Sequence, residues 1–337
     1  MIEKNSQYWL DRAKEIDKLD IKNEKDLLKE LIKLYEKAYN ETLNELYAFY
    51  SKYGNEHGLS YKEAQKLLQP IELKECSARI RRLSDMLEKI DKSTPFGKAR
   101  ASQIQREIQL LRGRGRITRE QALLDSINEK WIDTAYKVDK KLGDLIKETY
   151  TREFKHSLEQ AGVQKVMLPV KALESALLMP TFGNHFSDTI WKNKDKLVAF
   201  IRSEIRTGLV RGTNVRKTAK KLEKLLNVTA YEAKRLVVTE NCIARTQGSL
   251  DGYMKSDVVQ YLCIIVAMDE KTCVDCRDQE TAIIKKEEAQ YEKCPLPVFY
   301  EFDSPEEKEQ VLYKNFVAVT QDVKNMIETI LGKREGK

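Results

Sequence analysis

A chain of 337 residues with 34% charged and 8% aromatic side chains has room for two or three domains, and its composition is far from that of a disordered segment. The opening MIEKNSQYWLDRAKEID meets charge at once, and the longest apolar run, Tyr261 to Met268, is too short for a bilayer, so neither secretion nor membrane insertion is expected. Six unevenly spaced cysteines do not form a disulfide framework and point to reduced thiols in a cytoplasmic setting. The net charge of +7 is unevenly distributed. Arg79 to Arg119 carries 12 basic against 4 acidic residues and Lys192 to Arg235 carries 13 against 4, whereas Ser256 to the end carries 11 against 17. The first two segments suit a polyanion and the tail does not. Solvated helix faces explain the same charges equally well, because no aromatic interleaving and no recognised nucleic-acid motif accompanies them.

The first half reads as helical. Leu28, Ile32, Tyr35, Tyr39, Leu43, Leu46 and Tyr50 follow three- and four-residue steps on one face, and Gly54 and Gly58 break that helix. Ser60 with Glu63 makes a capping box for a short helix that Pro70 is expected to end. Ile71 to Asp91 is amphipathic, Ser93 to Gly97 marks a turn, and Arg112-Gly-Arg-Gly-Arg116 is a basic break. Thr118 with Gln121 caps a long helix toward His156, with Leu123, Leu124, Ile127, Trp131, Ile132, Ala135 and Val138 inside. After Ala161-Gly162 the composition changes. Ser187 or Asp188 is a candidate cap for the next helix, which reaches about Leu209, followed by Val215 to Leu226. Thr229 with Glu232 then caps a separate helix to about Lys255, with Glu240 in the middle of its apolar face. A carboxylate there has to be paired, hydrogen-bonded or protonated, and an ion pair to a neighbouring helix is the reading preferred over a functional role. Val258 to Met268 switches to a β-rich run, a return strand is expected at Thr281 to Ile284, and a final helix from about Ser304 to Leu331. The expected fold is therefore mainly α: a long-helix N-terminal region over 1–160, a helical middle over 161–255, and a small α+β C-terminal module around a short sheet over 256–337, with a C-terminal helix.

Taken in order, FGNHFSDTIWKNKDKLVAFIRSEIRTGLVRGTNVRKTAKKLEKLL, AKRLVVTENCIARTQGSLDGY and VVQYLCIIVAMDEKTCVDCRD resemble the minor head proteins of tailed phages, the Mu F-like head-morphogenesis family as it occurs in phages of Gram-positive bacteria. The resemblance covers about residues 180–280. Its marks are Thr239 and Glu240 on a helix and Asp269, Cys276 and Arg277 after the strand. It implies a minor capsid protein without catalytic activity, inside the virion near the portal vertex and in the host cytoplasm during assembly. Portal protein and the major capsid or scaffolding proteins are its implied partners, and its implied work is head assembly and the fate of the packaged DNA. Double-stranded DNA is then the polyanion, met through phosphate contacts for which Arg112, Arg114, Arg116, Arg211, Arg216, Lys217, Lys220 and Lys221 are the candidates. The alternative is a cytoplasmic nucleic-acid-binding protein acting through the same basic helical segments.

The pair Cys273 and Cys276 stands as C-x-x-C, half of a zinc site. Many members of the family supply a downstream His-x-x-Cys; here the three histidines, His57, His156 and His185, all lie upstream, and Cys294 alone follows. Zinc on Cys273, Cys276, Cys294 and a fourth ligand that the sequence does not identify stays open beside the preferred reading, reduced thiols on a knuckle shaped by turn chemistry, with no cofactor. A redox role is disfavoured, because a redox C-x-x-C opens a helix of a βαβ unit and this one does not. No enzyme is expected: there is no Gly-Lys phosphate loop, no H-E-x-x-H and no Ser/His/Asp arrangement, and Glu307-Lys-Glu309 lies in a charged helical stretch without a transferase strand beside it.

Overall fold

The computed structural model describes residues 6–54, 60–113, 116–163, 168, 173–174, 185–211, 215–257, 259–266, 283–288 and 314–319. These residues are mostly helical, as the apolar periodicity predicts. In chain order the elements are α1 (Ser6–Tyr53), α2 (Tyr61–Ala64), α3 (Pro70–Glu88), α4 (Pro95–Arg112), α5 (Arg119–Gln160), α6 (Phe186–Arg211), α7 (Val215–Met254), β1 (Tyr261–Val266), β2 (Ile283–Lys285) and β3 (Lys314–Val319). They fall into two compact units. One comprises Met1–Glu24, Gly143–Met179 and Val237–Lys337, and the other Lys25–Leu142 and Pro180–Leu236. This is a partition by packing, whereas the regions 1–160, 161–255 and 256–337 are a partition by composition along the chain.

Local chemistry explains most of the boundaries. Thr118 and Gln121 exchange side-chain-to-backbone hydrogen bonds at 3.2 and 3.0 Å, which satisfies two of the free N–H groups at the start of α5. Gly162, with φ +70°, ends α5: its N–H reaches Glu159 O at 3.2 Å and the Val163 N–H reaches Leu158 O at 2.9 Å, the paired bonds of a Schellman turn. Thr94 caps α4 through the Gly97 N–H at 3.0 Å, with Pro95 in the first turn, where its missing N–H costs nothing.

Several expected boundaries are corrected. Pro70 opens α3 rather than closing α2, for the same reason that Pro95 suits the start of α4. Neither Ser187 nor Asp188 caps α6. The helix already begins at Phe186, His185 Nδ1 accepts the Ser187 N–H at 3.1 Å, and the Ser187 hydroxyl goes instead to Asp139. The helices expected over 215–226 and from 229 onward are one, α7. Asn227 and Thr229 cost a helix only tenths of a kcal/mol, and no glycine or proline stands nearby to stop it, so Thr-x-x-Glu here is ordinary helix surface. The stripe expected on α1 holds in part: Leu46 is buried and Tyr35, Tyr39, Leu43 and Tyr50 pack against the same core, but at its start Leu31 (1% exposed) takes the inner place and Ile32 is 41% exposed. A strict three-and-four pattern has period 3.5, and over a helix of this length it drifts from the true 3.6. Residues 314–319, expected within a helix, form a strand, because the β-prone run Phe316-Val317-Ala318-Val319 finds a partner in β1.

In the unit built on Lys25–Leu142 and Pro180–Leu236, one core gathers Leu46 and Phe49 of α1, Leu123, Ile127 and Trp131 of α5, and Ile201, Ile205 and Leu209 of α6. The whole inner face expected for α5, from Leu123 to Val138, is buried. In the other unit, Ile146, Tyr150, Phe154 and Leu158 form a four-residue ladder on α5, with Tyr150 and Phe154 stacked at 6.2 Å. The sheet of this unit has order β2-β1-β3, with both pairings antiparallel. Ser256, fully buried, joins α7 to it: its hydroxyl accepts the Val259 N–H at 3.3 Å and its carbonyl accepts Lys286 Nζ at 2.7 Å.

Candidate functional site

The Thr239-Glu240 pair lies in the buried face of α7, each residue 4% exposed, with Asn241 and Cys242 beside it at 0% and 4%. Around the pair lies a buried polar network. Asp20 of α1 is 1% exposed and receives two guanidinium groups, Arg152 Nη2 from α5 on Oδ1 and Arg245 Nε from α7 on Oδ2 at 3.1 Å. Arg245 Nε is also 3.8 Å from Glu153 Oε1, and Ser249 Oγ donates to Glu153 Oε2 at 3.4 Å. One turn along α1, Glu24 accepts a 2.7 Å hydrogen bond from Asn241 Nδ2. Burial pushes the Glu24 carboxyl up from its ordinary range, against the opposing pull of the Asn241 bond and the Arg245 charge. Burial likewise pushes the Cys242 thiol up to about 12, which makes it a packing residue and not a nucleophile. Further along α7, Asp251 accepts from Tyr150 Oη at 2.5 Å and from Gln247 Nε2 at 2.8 Å, and desolvation raises the pKa of both Tyr150 and Asp251.

Two glycines bring α5 and α7 close enough for this network. A Cβ on Gly248 would stand 2.6 Å from Tyr150 O, and one on Gly252 would stand 2.7 Å from Phe154 O. No side chain larger than hydrogen fits either position at this separation. The resulting arrangement orients charges and holds helices in register. Among the described residues it holds no cluster of three His, Cys, Asp or Glu side chains disposed for a metal.

The other marks of the resemblance, Asp269, Cys276 and Arg277, lie outside the described residues, as do Cys273 and Cys294 of the zinc reading and Arg114 of the phosphate reading. The remaining basic candidates are all exposed. Arg112 is in the last turn of α4, Arg116 follows it, Arg211 is in the last turn of α6, and Arg216, Lys217, Lys220 and Lys221 share the solvent side of the start of α7 with Lys224. On the opposite side of that segment Ala219 and Leu222 are buried. Lys221 is held 2.6 Å from Glu204. Cations in the last turn of α4 and α6 also complement those helix dipoles, so part of this charge has a purely structural use.

Sequence reasoning missed Asp20, Glu24 and Glu153, which stand in stretches of mixed charge indistinguishable from solvated surface, and Arg245, a lone cation in the uncharged run between Glu240 and Asp251. Gly248-Ser-Leu-Asp-Gly252 was the available signal, since two glycines four apart inside a helix mark a close helix contact. No protein-family model matches this chain, and no curated protein or solved structure matches it either. Among the described residues no helix is long and apolar enough to cross a membrane.

Proposed function

We propose that this chain is a non-enzymatic minor head protein of a tailed phage, which associates with the portal during head assembly and meets the packaged DNA. One ordered arrangement carries the reading. Thr239 and Glu240 are buried in a long helix, that helix runs into the central strand of a small sheet, and the Asp269 to Arg277 motif follows the strand in sequence. A buried carboxylate in that position suits a scaffold that fixes helix register. The exposed Lys217, Lys220, Lys221 and Lys224 support contact with duplex phosphates, which needs no base reading. Co-expression with a portal protein from the same phage tests the proposal: the two are expected to co-purify, and failure to do so would count against it. The same basic face favours the second reading, a cytoplasmic nucleic-acid-binding protein, which predicts salt-sensitive DNA affinity without any portal association. Zinc at Cys273, Cys276 and Cys294 stays a separate question, answered by elemental analysis of the purified chain.

A further inference from the structure

Helices α6 and α7 are joined by three residues, and Lys221 Nζ lies 2.6 Å from Glu204 Oε2, so the two run antiparallel and side by side. Beside that ion pair each helix presents an exposed stripe. On α6 it is Lys196, Phe200, Ser203, Thr207 and Val210, of which Thr207 alone is half-buried. On α7 it is Lys217, Lys221, Lys224, Val228, Tyr231 and Arg235. The α7 stripe advances 18 residues in five steps, the true helical period, so it follows the helix axis for about 27 Å without drifting. Phe200 stands one turn from Glu204 and Val228 two turns from Lys221, which places both stripes on one face of the hairpin. On that face Phe200 is 41% exposed, Val210 61%, Val228 54% and Tyr231 37%. Neither stripe contains a carboxylate. Glu204 beside them is taken by Lys221, and Glu223 and Glu232 lie about 100° round α7 from its stripe. Lys196, Lys217 and Lys224 form no ion pair among the described residues.

We propose that this face of α6 and α7 docks an acidic amphipathic helix of a partner protein. The apolar residues of that helix rest on Phe200 and Val228, and its carboxylates meet Lys196, Lys217 and Lys224. Charge complementarity selects the occupant. A second copy of the same face would bring lysine against lysine, which disfavours self-association. Duplex phosphates would use the lysines and leave Phe200, Val210, Val228 and Tyr231 without a part. Apolar side chains exposed together on one face and flanked by cations instead match the mode in which an amphipathic helix lays its apolar stripe between two helical ridges. The proposal does not rest on the head-protein reading, because it specifies the chemistry of the partner helix and not its source.

Fluorescence anisotropy with the full chain tests it at about 0.15 M salt, where weak surface attraction is screened. The probe is a labelled helical peptide of about 18 residues, matched to the length of the α7 stripe, with leucines in three- and four-residue steps, glutamates flanking them, and alanine and glutamine elsewhere. A scrambled peptide of the same composition and a DNA duplex of about the same length are the comparisons. The amphipathic peptide is expected to bind about tenfold tighter than its scramble, and Phe200→Ser with Val228→Ser to remove that preference. Lys217→Glu with Lys224→Glu should weaken the peptide by about tenfold and serves if the serine variant does not fold. Equal affinity for peptide and scramble, a preference that survives the serine variant, or peptide binding that survives the charge reversal would each overturn the proposal. A duplex bound more tightly than the peptide, and equally well by the serine variant, would overturn it too and assign the face to nucleic acid. Co-purification with a portal protein is a separate result, and either can fail alone.

Discussion

Replacing Gly252 with alanine puts opposing effects on one bond. In an isolated helix alanine is favoured over glycine by about 1 kcal/mol, so propensity alone predicts a gain. In this chain the new Cβ would lie 2.7 Å from both Phe154 O and Ser157 Cβ, and at Gly248 it would lie 2.6 Å from Tyr150 O. The carbonyl contacts are to helix backbone, which cannot rotate away as a side chain can. Relief requires α5 and α7 to move apart by roughly half an ångström, enough to forfeit a quarter or more of each contact along the seam. Overpacking of this kind costs about 1–3 kcal/mol, which offsets the gain from propensity and leaves each substitution about 0–2 kcal/mol destabilising net. The two together should cost less than their sum, because one displacement relieves both. Gly113 is the control: a Cβ there meets Gln109 O at an ordinary 3.5 Å with φ −71°, and Gly113→Ala should be neutral or stabilising. Urea unfolding followed by far-UV circular dichroism, with hydrogen exchange of α5 and α7, measures all three. A gain of about 1 kcal/mol from Gly248→Ala and Gly252→Ala would refute the close approach of these helices.

Three further outcomes follow from the polar interior. Burial raises the folded-state pKa of Glu24, so its favourable contribution is present below the unfolded-state value of about 4.3 and is lost as pH rises through the folded value. Glu24→Gln, which keeps an acceptor for Asn241, should therefore be more stable than the parent at pH 7.5 and lose that advantage at pH 4; urea midpoints at the two values check the sign. Asp139, 0% exposed, accepts Arg100 at 2.9 and 2.7 Å, Ser187 at 2.6 Å and Trp191 at 3.1 Å, so Asp139→Asn takes the counter-charge from the part-buried Arg100 and should cost about 3 kcal/mol, seen as a lower urea midpoint with altered Trp191 fluorescence. Cys242, with its thiol pushed up to about 12, should resist iodoacetamide at pH 8 until urea unfolds the chain, while Cys76 reacts in the native protein; peptide mapping distinguishes the two.

The helical face of α5 was legible because Leu123 to Val138 repeats apolar residues at helical period, and burial follows that period directly. Thr118, Gln121 and Gly162 were legible as helix punctuation because their chemistry is local. What the sequence hid depends on partners distant in the chain. Asp20 reads like any other charge of α1 until Arg152 and Arg245 close on it from α5 and α7. The stretch 314–319 reads as helix until β1 supplies the hydrogen-bonding partner that makes it a strand. Thr229 with Glu232 misled for the converse reason: a capping box is a local motif, and within an uninterrupted helix its residues are simply polar surface. Of the family marks, Glu240 was correctly expected to be buried, and its burial is a property of the whole face of α7 rather than of the motif.

The central claim is that this chain is a structural part of a phage head. Quantitative mass spectrometry of gradient-purified particles from the phage or prophage that encodes it tests this most directly. The account predicts peptides of this chain inside the head, in far fewer copies than the major capsid protein and retained in particles that hold DNA. Intact, DNA-filled particles without the chain would contradict it.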